Sequence, residues 1–166
     1  MPVRTLEEAK SFAQTWMTDM GYFGREVTPC PEGFNFMLEG AVPNKIPFLI
    51  IQPKESADIL VVLATVRITE SSFNSLSKMK EEDRDEFLWN LQKELILLPP
   101  TYSFDPTFEE TSIPKGIQFT KEVYYDDLTK GKLAEAVHYT TRGALWVVLT
   151  FKRKFNPNKE VEQYAE

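Results

Sequence analysis

The sequence predicts an α+β fold in the order α-β-β-β-α-β-β-α, with an antiparallel sheet packed against helices. Three observations carry this expectation. Three stretches place apolar residues at helical spacing, and five shorter runs alternate in polarity or are apolar throughout. The first three of those runs are joined by connections too short for a parallel crossover, so they form an antiparallel meander.

The first helix opens on Thr5, with Glu8 three residues on, the spacing of a capping box. Ala9, Phe12, Ala13, Trp16, Met17 and Met20 follow on one face, and Gly21 closes it. Pro29, Pro31 and Gly33 then interrupt the backbone. Phe34, Phe36 and Leu38 alternate with Asn35, Met37 and Glu39, the period of a half-buried strand. Pro47 to Pro53 is a short apolar run bounded by prolines, and Ile59 to Ile68 is rich in leucine and valine. Ser71 or Ser72 caps a short helical turn through Met79.

The main helix spans Glu81 to Leu98 and is stopped by Pro99-Pro100. Its acidic first turn suits the positive end of the helix dipole and is read as a solvated helix start. Thr101 to Phe104 forms a short strand and Phe108 to Pro114 a loop. Ile117, Phe119, Lys121 and Val123 then mark one face of a longer strand. The last helix starts around Asp126 to Thr129. Leu133, Val137, Ala144, Val148, Phe151 and Phe155 share one side of it, and Lys152, Arg153 and Lys154 lie at its C-terminal end. Trp146 to Thr150 also has strand character, because Val147 and Val148 are β-branched and Gly143 weakens a helix. Residues 1–155 are read as a single domain and 156–166 as a C-terminal tail.

Composition narrows the class of partner. A chain of 166 residues with 42% apolar and 13% aromatic residues can bury a core without a metal or disulfide staple. The net charge of -6 repels phosphate backbones and anionic lipid headgroups, so neither nucleic acid nor membrane is an expected partner. Cys30 is the sole cysteine, which suits a reducing, cytoplasmic setting. No apolar run approaches the ~20 residues that cross a bilayer.

Chemistry-bearing clusters are sparse. His138 is the only histidine, and it falls off the apolar face of the last helix. The seven glycines are dispersed, with none of the patterns that let backbone amides cradle a phosphate. No catalytic, cofactor or metal site is therefore predicted, and a non-enzymatic protein is expected. The alternative is a small-molecule-binding protein or enzyme with an acidic and aromatic pocket between sheet and helices, using carboxylates and Tyr124 or Tyr125. A structural subunit of a larger assembly is a third possibility.

Apolar residues also occupy the wrong sides of two helices. At ~100° per residue, Trp89 and Ile96 fall roughly 140° from the centre of the Phe87, Leu88, Leu91, Leu95 and Leu98 face. On the last helix Tyr139, Trp146 and Leu149 lie away from the main stripe. Tryptophan and tyrosine are enriched at interfaces, so these residues are either core on a second side or contact points for a partner. A homodimer is the economical form of such a contact.

The element order, with strands Phe34–Glu39, Pro47–Pro53, Ile59–Ile68, Thr101–Phe104 and Gly116–Tyr124 and helices interleaved, resembles the type III secretion chaperone-like fold. Over about residues 5 to 155 the chain looks like an uncharacterised archaeal family of that fold group. The resemblance implies a small acidic homodimer that binds protein clients as extended segments on sheet and helix surfaces. It further implies dimerisation through the second helix and a neighbouring strand. That places Trp89 and Ile96 on the dimerising helix and Tyr102 and Phe104 on the adjoining strand.

Overall fold

The computed structural model describes residues 5–105 and 113–156. Its elements are α1 (Leu6–Asp19), β1 (Phe23–Glu26), β2 (Phe34–Ala41), β3 (Pro47–Pro53), β4 (Ile59–Arg67), α2 (Glu70–Lys78), α3 (Glu81–Leu95), β5 (Thr101–Asp105), β6 (Gly116–Tyr124) and α4 (Lys130–Phe155). The fold is α+β in the expected order, with β1 added between the first helix and the meander. Most of the loop expected at Phe108 to Pro114, and all of the tail except Asn156, lie outside the described residues.

Local signals set the helix ends. The Thr5 hydroxyl accepts from the Glu8 amide at 3.2 Å, and the Glu8 carboxylate accepts from the Thr5 amide at 3.0 Å. The cap of α2 is Thr69, whose Oγ1 accepts from the Ser72 amide, and Ser72 itself is buried. That corrects the expected cap by two to three residues. α3 ends at Leu95, and Ile96 to Leu98 continue as single turns bonded to Gln92, Glu94 and Leu95. Trp146 to Thr150 are helical within the 26 residues of α4.

All six strands pair antiparallel in the order β1-β2-β3-β4-β6-β5. β1 returns from α1 along β2, and its register shifts between Phe23 and Arg25. The long connection through α2 and α3 carries β5 to the far edge, and β6 inserts between it and β4.

One face of the sheet holds the core. Phe36 and Leu38, Phe48 and Ile50, Leu60, Val62 and Ala64, Phe104, and Ile117, Phe119 and Val123 join one buried cluster. All four helices feed the same cluster: Ala13 and Met17 from α1, Leu76 from α2, Leu91 and Leu95 from α3, Leu133 and Val147 from α4. Two buried threonines and a buried glutamine find partners within it. Thr140 and Thr141 donate to the carbonyls of Ala136 and Val137 at 3.0 and 2.7 Å. The Gln52 amide bonds Asn35 and donates to the Ser56 carbonyl at 2.7 Å, which fixes the β3–β4 turn. The helices thus form one layer and the sheet the other.

Candidate functional site

The sequence-predicted surface residues divide into three groups. Trp89 and Ile96 stand out from α3 with 61% and 71% of their surface exposed, and Leu97 beside them is more exposed still. Trp146 and Leu149 are exposed on α4. Tyr139 and Tyr102 are half-buried, Tyr139 near the His138 ring and Tyr102 edge-on to Phe104 at 5.8 Å.

Phe104 is a correction. It is only 8% exposed and belongs to the core, because alternation along β5 points it toward the helices together with Tyr102. Its ring faces the helical layer, not the outside of the sheet.

The two exposed helical groups do not merge. Trp146 Nε1 donates to Glu94 Oε2 at 3.1 Å, which sets Trp146 against α3. Glu94 follows Trp89 by five residues, so it lies ~140° from Trp89 around the helix. Phe87 packs on the Glu94 side, edge-on to Phe151 and Phe155 of α4 at 5.5 and 5.6 Å. Trp89 and Ile96 therefore face away from α4, on the other flank of α3.

A third apolar surface was missed by helix-by-helix reading. Met37, Leu49, Ile51, Ile59, Val61 and Leu63 alternate with the core residues and point to the opposite face of the sheet, outside the buried cluster. The register sets them in two rows. Met37, Ile51 and Val61 run on to Glu122, and Leu49 and Leu63 lie between Glu39 and Thr120. Tyr124, beside Ile59, is exposed on the same face. The signal was present in the unbroken apolar runs at 48–51 and 59–64. A strand with one solvated face alternates in polarity, whereas these are apolar on both sides.

The chemistry available to an enzyme is scattered. Tyr124 and Tyr125 point to opposite sides, since Tyr125 joins the core. The Tyr125 hydroxyl is buried and has no hydrogen-bond partner among the described residues. Desolvation, with a smaller push from the Asp58 carboxylate, raises its pKa above the usual 10. Folding therefore favours the protonated phenol. Its contribution to stability is complete below pH 10 and declines as pH rises toward the folded-state value. Tyr125→Phe is expected to be neutral or to gain about 1 kcal/mol, and to flatten that alkaline decline; urea titrations between pH 7 and 11 measure both.

A pocket of about 310 Å³ lies between α1 and α4, lined by Trp16, Met20, Tyr22, Val42, Glu135 and His138 among others. Its carboxylate and its imidazole are already engaged, Glu135 with Lys132 at 3.6 Å and His138 with Arg142 at 3.3 Å. Cys30 is half-buried and donates to the Phe34 carbonyl at 3.5 Å. Among the described residues no group of three or more His, Cys, Asp or Glu side chains is placed to hold a metal ion. Among them, too, no helix is long and apolar enough to cross a membrane.

Comparison with known proteins agrees with this architecture. A crystal structure of an uncharacterized protein from Methanothermobacter thermautotrophicus superposes with a TM-score of 0.80 at 20% identity, covering 89% of this chain and 99% of that one. The likeness is one of fold. No curated protein matches the chain. The model of a family described as "Uncharacterized conserved protein (DUF2299)" matches residues 11–151, from the second turn of α1 to the last turn of α4, and the chain belongs to that family.

Proposed function

We propose that this chain is a non-catalytic protein-binding module, of the chaperone or adaptor kind, that works as a homodimer. The observation that supports this most is the set of large apolar side chains left in water by the helical layer: Trp89, Ile96 and Leu97 on α3, and Trp146 and Leu149 on α4. Trp89, Trp146 and Leu149 are held on regular helices whose opposite sides are anchored in the core, and Ile96 and Leu97 on the turns that close α3, so little order has to be gained when a partner covers them. Tryptophan is the residue type that most often anchors an interface.

Static light scattering is expected to give twice the 19.2 kDa chain mass. The paired change Trp89→Asp and Ile96→Asp is expected to abolish retention of an immobilised, permanently unfolded polypeptide. Because both residues are exposed, unfolding free energy should move by no more than about 0.5 kcal/mol. A monomer that retains no polypeptide would refute the proposal. Loss of fold in the paired variant would place the two residues in the core instead.

A further inference from the structure

We infer that the outward face of the sheet, bordered by a helix only where Glu70 and Phe73 of α2 stand beside Thr65, Arg67 and Gln118, is the surface on which a second copy of this chain docks. The inference rests on the homodimer reading above and assigns the contact to the sheet, leaving the exposed residues of α3 and α4 for other polypeptides. Three independent properties of the face lead to a second copy.

The first is extent. Six strands ~4.8 Å apart span about 24 Å, and the nine residues of β4 run about 30 Å, a footprint on the order of 700 Å². A standard stable interface takes about 800 Å² from each partner. The exposed apolar side chains at α3 are only Trp89 and, in the turns after its last residue, Ile96 and Leu97, and they offer much less.

The second is charge. Two copies of a chain with net charge -6 repel one another, so they meet most easily where that charge is absent. The outward positions of the sheet carry Arg25 and Arg67 against Glu39, Glu122 and Asp105, a net of -1. Arg25 and Glu39 already neutralise each other at 2.7 Å. All five lie around an uncharged middle of Leu49, Ile51, Val61 and Leu63. Ile51, between Met37 and Val61 in its row, is itself only 7% exposed, so the open part of this middle is Leu49, Val61 and Leu63.

The third is symmetry. In the order β1-β2-β3-β4-β6-β5, the midline falls between β3 and β4. A two-fold axis along that midline, in the plane between two stacked sheets, lays β3 of one copy over β4 of the other. Leu49 and Ile51 then meet Leu63 and Val61 at the same height, aliphatic on aliphatic, as in an aligned sandwich of two sheets. The same axis lays β2 over β6 and brings Glu39 of one copy opposite Thr120 of the other.

That last pairing gives a test whose sign depends on charge. Dimer dissociation of the full chain is measured by sedimentation velocity for wild type, Val61→Glu, Thr120→Glu, Thr120→Lys and the paired Asp variant of Trp89 and Ile96, with thermal unfolding as the fold control. Val61→Glu and Thr120→Glu are expected to weaken the dimer, on the order of a hundredfold, by placing carboxylates in the apolar middle and opposite Glu39. Thr120→Lys is expected to preserve or tighten it, and the helix variant to leave it unchanged. Thr120 is a half-exposed polar position, so its two variants remain informative if Val61→Glu does not fold. A dimer that survives both Glu variants but is lost in the helix variant overturns the inference while keeping the homodimer. A wild-type chain that stays at 19.2 kDa at every concentration removes the homodimer reading and the inference with it.

Discussion

Gly143→Ala is expected to lower stability by about 1–3 kcal/mol, although the same change on an exposed helix raises it by roughly 0.5–1 kcal/mol. The sign reverses because of what lies under the glycine. A Cβ at position 143 would stand 2.7, 2.8 and 3.1 Å from Cδ1, Cε1 and Cγ of Phe119, inside van der Waals contact. The Phe119 ring is fully buried and cannot swing aside cheaply. Glycine therefore sets how closely α4 can lie on β6. Urea unfolding measures the effect, and a variant as stable as wild type would mean that helix and strand are further apart than this.

Phe119→Ala is expected to cost about 3–5 kcal/mol, the range for removing a large aromatic side chain from a packed interior. Phe119 lies between Ala64 of β4 and Tyr102 of β5 in the sheet, with Gly143 of α4 above it. The two substitutions should not add. Once the ring is gone the methyl group of Gly143→Ala has room, so its cost in the Phe119→Ala background should shrink toward zero or become a gain. Full additivity would show that the clash is not the origin of the glycine requirement.

These two positions also mark what the sequence could and could not reveal. Phe119 was legible as a core residue, because Ile117, Phe119 and Val123 share one side of a strand. Gly143 was legible only as a weak point in a helix, since its reason is a neighbour 24 residues away in sequence. The capping box at Thr5, the three-strand meander and the long last helix all follow from local spacing and stand as read. β1 did not, because Phe23-Gly-Arg-Glu26 carries one apolar residue and a glycine, and its strand form comes from lying against β2. Phe104 lies on the expected strand but faces the core, for a related reason. Two aromatics spaced by two share a face, but the direction of that face is fixed by β6 rather than by β5 itself. The outward aliphatic rows needed the register of β2, β3 and β4 before they could be recognised as one surface.

The brevity of the two outermost strands, four residues in β1 and five in β5, bears on how this protein behaves when crowded. A neighbour seeking to extend the ladder finds only a short stretch of backbone to template on, and at β1 that stretch carries a register fault. Open-ended polymerisation is thereby disfavoured. Whatever larger particle these chains build should stop at a fixed size and stay dispersed as concentration rises.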